Sequence, residues 1–224
     1  MASEQVENYL KQIYKIQEQE GRVTTSVLSD RLQISAPSVT EMIKKLADEG
    51  SVTYTPYKGV ELTGAGKKKA LHIVRRHRLW ELFLVEILKF PWDEIDEEAE
   101  RLEHFMSEKL EKRIDEILGY PNRDPHGDSI PTPDGKVEGA HHSPLAAIVP
   151  GTTVQVARVS DENPEILQYL SKLGVALGTE LTVTDMMSFD GSLRVMVGDR
   201  EQFISSKLAQ NIFVTTLEKA GTSQ

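Results

Sequence analysis

Val6, Tyr9, Leu10 and Ile13 recur at helical spacing and predict a helix over residues 4–19 with one buried stripe, stopped at Gly21. Thr24 to Leu32 predicts a second, shorter helix, with threonine and serine available to cap it. Ile34-Ser35 is a tight break, and Ser35 caps a third helix that tolerates Pro37 in its first turn. That helix buries Val39, Met42, Ile43 and Leu46 and ends near Gly50, while its other face presents Pro37, Ser38, Thr40, Glu41, Lys44 and Lys45. Val52-Thr53-Tyr54 and Val60-Glu61-Leu62-Thr63 read as two strands of a hairpin joined through Pro56-Tyr57-Lys58-Gly59.

Helix, helix, short turn, helix and hairpin is a winged helix-turn-helix pattern. Its third helix would enter the major groove of DNA, with Tyr57 and Lys58 of the hairpin at the phosphate backbone. A protein-interaction module is the alternative; the short turn, the polar outward face and Lys58 at the hairpin tip favour DNA. The third helix has no arginine, so base readout should be modest. A long helix follows from Ala65 to Phe90, basic early (Lys67, Lys68, Lys69, Arg75, Arg76, Arg78) and apolar almost all round after Leu79. An all-round apolar helix is buried, which predicts a homodimer interface with Trp80, Phe83 and Leu84 as candidates. Pro91 should end it, and Ile95 to Leu118 should form one further helix burying Leu102, Phe105, Met106, Leu110, Ile114 and Ile117.

Residues 121–145 are a Pro/Gly/Asp/His-rich connection. From Val149 the pattern turns to strands at Thr153–Val159, Glu180–Asp185, Leu193–Val197, Gln202–Ile204 and Ile212–Thr216, interrupted by one helix at Pro164–Leu173. The expected fold class is therefore mostly α with a small C-terminal β-barrel.

Composition narrows the chemistry. At 224 residues, 39% hydrophobic and 27% charged, the chain has room for more than one core. The absence of cysteine excludes disulfides, iron–sulfur clusters, thiolate zinc sites and a cysteine nucleophile. The polar start is no secretory signal, and Leu79 to Trp92 is interrupted by Glu81, Glu86 and Lys89 and too short to span a bilayer, so a cytoplasmic protein without a membrane partner is expected. The net charge of −9 divides unevenly: residues 1–80 hold 13 Lys+Arg against 9 Asp+Glu, and residues 81–224 hold 13 against 26. A mildly basic module joined to an acidic one is compatible with binding phosphates through the former.

The acids are concentrated at Asp93, Glu94, Asp96, Glu97, Glu98, Glu100 and Glu103. On a helix Glu100, Glu103 and His104 fall within about 100° of one another. Such a run is either a solvated acidic face or, because like charges at this spacing repel and a histidine completes a hard N/O donor set, a divalent-cation site. His77 and Glu81 stand at i, i+4 on the long helix and read as a self-satisfying ion pair or as ligands. Asp124-Pro125-His126 is a third carboxylate–imidazole pair, which can also be a turn, and the adjacent His141 and His142 diverge as surface residues.

Six stretches, in order, resemble the diphtheria toxin repressor family of metal-dependent regulators, on the side of its manganese-regulator branch. They are Tyr9-Leu10-Lys11-Gln12-Ile13-Tyr14; Ser38-Val39-Thr40-Glu41-Met42-Ile43-Lys44-Lys45-Leu46; Tyr57-Lys58-Gly59-Val60-Glu61-Leu62-Thr63; Arg76-His77-Arg78-Leu79-Trp80-Glu81; Glu100-Arg101-Leu102-Glu103-His104; and Asp124-Pro125-His126-Gly127-Asp128-Ser129-Ile130-Pro131. The C-terminal strands resemble the FeoA-like domain of many members. The resemblance implies a winged helix-turn-helix over 1–63, a helical metal-binding and dimerisation domain over 64–122, a linker contributing ligands over 123–148 and a FeoA-like barrel over 149–218.

The resemblance also implies a repressor that closes on a pseudo-palindromic operator when metal binds, with two ions per chain. One site maps to Asn8, Glu100, Glu103 and His104. The family usually has aspartate or methionine where Asn8 stands, and neighbouring Glu7 or water could substitute. The other maps to His77, Glu81, Asp124 and His126, with Asp161 as a possible fifth ligand. Iron-type members carry cysteine or methionine in place of Glu100, and with no soft ligand left Mn2+ is favoured over Fe2+ here. They carry histidine in place of Asp96, so the alternative for the second site is an Asp124/His126 variant in which His77 is a bystander. A metallohydrolase using the same carboxylates is the alternative from another class; no substrate-binding motif accompanies them.

Overall fold

A computed structural model describes residues 3–56, 58–139 and 141–217. Two compact units make up the chain, Met1–Trp80 with Ala99–Asn122 and Ile130–Glu138, and Glu81–Glu98 with Arg123–Ser129 and Gly139–Gln224. Among the described residues no helix is long and apolar enough to cross a membrane.

The first unit begins with α1 (Glu4–Glu20), α2 (Thr25–Leu32) and α3 (Ala36–Asp48), each started by a hydroxyl that accepts from the first turn: Ser3 from Val6, Thr24 from Val27 and Ser35 from Ser38. Between α2 and α3 the chain reverses through Gln33, which adopts a left-handed conformation at φ 54°. The antiparallel hairpin β1 (Val52–Thr55) and β2 (Gly59–Leu62) completes the winged module. At Gly59, with φ +119°, a Cβ would lie 2.5 Å from the Val23 carbonyl, so only glycine lets the wing lie against the strand-like residue before α2. The fully buried side chains of Ile13, Leu28, Val39, Ile43 and Leu46 form the core of this module.

The long helix α4 spans Gly64–Glu86, ending four residues before the expected Phe90. Leu88 donates to the Phe83 carbonyl and Phe90 to that of Leu84, and Lys89 turns into the left-handed region at φ 61°. The chain thus closes its own last turn before Pro91 is reached. Ile87, Leu88 and Phe90 are exposed rather than buried. Arg75, one of the basic residues early in this helix, is buried, donating to Glu111, Asp115 and the Pro131 carbonyl.

The single helix expected over Ile95–Leu118 is instead α5 (Asp96–Leu102), a 3-10 turn at Glu103–Phe105 and α6 (Glu108–Ile117). Met106 and Ser107 are extended, and the Ser107 hydroxyl accepts from Leu110 N, so a new N-cap competes successfully with helix continuation. The break re-aims the apolar residues: Phe105, Leu110 and Ile117 are exposed at 80%, 41% and 61% instead of buried.

The second unit holds β3 (Ser143–Pro144), β4 (Thr153–Val159), α7 (Pro164–Leu173), β5 (Glu180–Met186), β6 (Leu193–Val197), β7 (Arg200–Ile204), α8 (Ser206–Ala209) and β8 (Ile212–Thr216). They form one antiparallel sheet in the order β3-β8-β4-β5-β6-β7. It is small and barrel-like without closing, and bulges at Val156/Arg158 and Val183/Asp185 help bend it. Alternate residues of the strands, Val154, Val156, Leu181, Val183, Leu193 and Val195, fill its interior.

Candidate metal centre

In the first unit, Glu7, Asn8 and Lys11 occupy neighbouring positions on α1, with Glu7 and Lys11 one helical turn apart. Glu100 lies in the last turn of α5 and Glu103 opens the 3-10 turn three residues later. Lys11 Nζ donates to Glu100 Oε2 at 2.5 Å and to Glu103 Oε1 at 2.6 Å. The side chains of Lys11 and Glu103 are 0% exposed, so this is a buried ion pair. His77, which the resemblance groups with the second site, lies here: its Nδ1 is 2.6 Å from Glu103 Oε2 and 3.8 Å from Glu100 Oε2. His77, Glu100 and Glu103 offer ligand atoms all within 4.8 Å of one another. Burial pushes the Glu103 carboxyl up, but the hydrogen bond and charge of His77, joined by Lys11, outweigh it and hold it below its ordinary value.

His104 is oriented by its neighbour. Its Nδ1–H donates to Glu7 Oε2 at 2.7 Å, which leaves Nε2 as the acceptor nitrogen, buried, 3.5 Å from Glu103 Oε1 and without a hydrogen bond. An imidazole whose other nitrogen is anchored on a carboxylate is the arrangement of a metal-ligating histidine. The Asn8 Oδ1 atom is likewise buried without a hydrogen-bond partner. The orphaned nitrogen beside Glu103, and the orphaned oxygen of the residue next to Glu7 on α1, are donors a divalent cation would satisfy.

In the second unit, the Asp124–Ser129 loop folds on itself: Asp124 Oδ1 accepts from the backbone of His126 and of Asp128. His126 O accepts from Val159 N, pinning the loop to the end of β4. Gly127 makes that approach possible, since at φ +90° a Cβ would stand 2.2 Å from the Ala157 carbonyl. His126 Nε2–H donates to the Trp92 carbonyl at 2.9 Å, and the two rings stack with centroids 5.9 Å apart. Nδ1 is then the buried acceptor, without a hydrogen bond and 3.7 Å from Glu81 Oε1. Glu81, His126 and Asp161 bring ligand atoms within 4.8 Å of one another. Burial lowers the affinity of His126 for a proton, but Glu81, Asp124, the Trp92 carbonyl and Asp161 outweigh it and raise its pKa. Donor type, burial and an oriented imidazole fit a divalent cation here as well.

On α3, Pro37, Ser38, Glu41, Lys44 and Lys45 are exposed and Thr40 is half-buried. Thr40 spends its hydroxyl on the Ala36 carbonyl, and the Ser38 hydroxyl meets that of Ser35. Lys58 is exposed at the wing, and Tyr57 lies outside the described residues. Lys11 and Trp92 are functional contacts that the sequence alone does not mark as site residues. Lys11 shares a helix face with Glu7 and follows Asn8 by three residues, which was the available signal; a backbone carbonyl such as that of Trp92 leaves none.

Residues 1–60 match the family described as "Iron dependent repressor, N-terminal DNA binding domain". Residues 63–132 match "Iron dependent repressor, metal binding and dimerisation domain", and residues 143–216 match the FeoA domain. The diphtheria toxin repressor of Corynebacterium glutamicum is 30% identical over 188 residues, 79% of this chain and 82% of that protein. The chain belongs to the diphtheria toxin repressor family. The iron-dependent repressor IdeR of Mycobacterium leprae is 29% identical over 189 residues, 79% of this chain and 82% of that one. A solved manganese-dependent transcriptional repressor in complex with manganese is 42% identical, with a TM-score of 0.89, covering 95% of this chain and 100% of its own. As a member of the diphtheria toxin repressor family the chain is a metal-dependent, DNA-binding transcriptional repressor with a dimerisation domain. Its relatives are repressors rather than enzymes, and the metallohydrolase reading falls with that. Both iron and manganese occur in the relatives' names.

Proposed function

We propose that this protein is a cytoplasmic manganese-responsive repressor of metal-uptake or metal-homeostasis genes, binding a pseudo-palindromic operator as a homodimer. Two sites per chain would hold the ions: Asn8, Glu100, Glu103 and His104 with His77 alongside, and Glu81, His126 and Asp161 with Asp124 beside them. The observation that carries this is the pair of oriented imidazoles, His104 and His126, each anchored through one nitrogen and buried at the other without a hydrogen bond. All the donors named for the two sites are oxygen or nitrogen, with no sulfur among them to select a softer ion, which supports Mn2+ over Fe2+.

Asn8 on α1, Glu100, and Glu103 and His104 in the following turn would hold the first ion, which would supply positive charge to offset the carboxylates. The protein's residues do the rest. Glu7 keeps the His104 tautomer, and the Trp92 carbonyl keeps that of His126. α1 packs against α2 and β2, so fixing α1 restrains the module that carries α3. Pro37, Ser38, Thr40 and Glu41 would face base edges while Lys44, Lys45, Tyr57 and Lys58 hold phosphates. Linkage requires DNA to tighten metal binding by the factor by which metal tightens DNA binding, typically ~5–150-fold.

The test is a mobility-shift titration on the DNA upstream of the protein's own gene, after chelator treatment and after addition of Mn2+, Fe2+ or Zn2+. We expect Mn2+ to raise affinity at least tenfold over stripped protein (about 1.4 kcal/mol). Equal binding by stripped and loaded protein would overturn the reading, and a response confined to Fe2+ would replace the ion.

A further inference from the structure

The first cluster differs from an ordinary ligand set in containing a cation of its own. The ammonium of Lys11 contacts Glu100 and Glu103, two of the three residues whose ligand atoms converge within 4.8 Å. It is fully buried, and both contacts are charge-assisted. The donors left over are the orphaned Nε2 of His104, 3.5 Å from the same Glu103 Oε1 that accepts from Lys11, and the orphaned Oδ1 of Asn8.

We propose that Lys11 is a resident, non-exchangeable cation that fills the His77–Glu100–Glu103 position, so that the first cluster admits a single exchangeable divalent ion and keeps α1 tied to Glu103 when no metal is bound. The inference rests on the reading of this cluster as a metal site.

Charge balance gives the same stoichiometry. With the imidazoles neutral, as they are when a metal is bound, Glu7, Glu100 and Glu103 contribute three negative charges and Lys11 one positive, leaving two, which a single divalent ion cancels. A second divalent ion would leave an excess of positive charge among buried groups, which is costly. The neutral side chain of Asn8 adds nothing to offset it. Lys11 also supplies part of what a metal would supply, a cationic link between the first helix and the acidic turn. Metal therefore strengthens a joint that already exists instead of creating it, and the response to metal is graded from a partly closed state.

The experiment counts Mn2+ per chain by equilibrium dialysis and by manganese spin resonance, and measures thermal unfolding of chelator-treated protein. It uses the full chain carrying His126→Ala, which removes the second site. This background should bind one ion, and Lys11→Glu within it should bind two. One ion in both proteins would overturn the inference alone. No ion in the background would overturn it together with the functional reading, and that result is visible before Lys11 is changed. Should Lys11→Glu fail to fold, Lys11→Met supplies the decision. Loss of one positive charge beside the remaining ligands should tighten Mn2+ binding at least about tenfold. The metal-free unfolding midpoint should fall at the same time. Unchanged affinity in Lys11→Met would equally overturn the inference.

Discussion

The two acidic clusters use the same kinds of side chain and differ in what holds them together without metal. Around Glu103 the negative charge is answered from within the chain, by Lys11 at 2.6 Å and His77 at 2.6 Å. Around His126 the buried Glu81 and nearby Asp161 face an imidazole whose Nδ1 is buried without a hydrogen bond. The first cluster is thus a structural joint that also has room for an ion, and the second is a ligand set whose main reward comes on loading. Equal donor counts therefore do not imply equal dependence on metal.

Cutting the joint should show the difference most strongly. Glu103→Ala leaves the Lys11 ammonium buried with Glu100 (38% exposed) as its one ion-pair partner among the described residues. Removing one member of a buried pair typically costs ~3–5 kcal/mol, and the surviving contact to Glu100 places this case toward the lower end. Urea unfolding of chelator-treated protein should record that loss, and manganese-stimulated operator binding should disappear as well. A metal-free stability equal to that of the unaltered chain would mean that the buried pair contributes nothing, and the contrast between the clusters would collapse.

The matching change in the second cluster should act almost entirely through metal. His126→Ala removes a ring whose Nδ1 has no hydrogen bond, along with one bond from Nε2 to the Trp92 carbonyl. The metal-free chain should lose only ~1–2 kcal/mol, while one Mn2+ per chain vanishes from a dialysis count. If the ion count stays the same, Glu81, Asp161 and their surroundings do not form a site with His126.

What the sequence made legible follows from the range of the interactions. Hydroxyl caps at Thr24 and Ser35, the stripe of α1 and the alternation of β4 to β6 are set by neighbours within a few residues, and these elements were readable to within a residue or two. The break at Ser107 was local too, but its cap signal sat inside an apolar period that continued past it, and periodicity outweighed it. Charged residues were the hardest. Arg75 and Lys11 sit in basic-looking positions of helices, and only partners 36 and 89 or more residues away turn them into buried cations. His77 lies one turn from Glu81 along α4, yet its Nδ1 is satisfied by Glu103, 26 residues on. Helical spacing shows which residues share a face and says nothing about which distant segment meets that face.

Acidification should separate the clusters by a smaller margin. Burial opposes protonation of His126, but Glu81, Asp124, the Trp92 carbonyl and Asp161 outweigh it, so its folded pKa lies above the ordinary 6.5. In the metal-free chain a raised pKa contributes stability that is complete below 6.5 and is lost as the pH rises through the folded value. Metal binding runs the other way, because Nδ1 must be unprotonated to ligate and loading has to expel a proton. Below the raised value, Mn2+ affinity of the second site should therefore fall about tenfold per pH unit. Glu103 behaves oppositely: its pKa is depressed, so its contribution is present above the ordinary 4.5 and is lost only as the pH falls through the lowered value. Manganese titrations of His126→Ala and of the unaltered chain, repeated at several pH values near and above 6.5, resolve the second site by difference. The difference should shrink steadily as the pH falls, and a difference that stays constant across the series would show that His126 does not give up a proton to the metal.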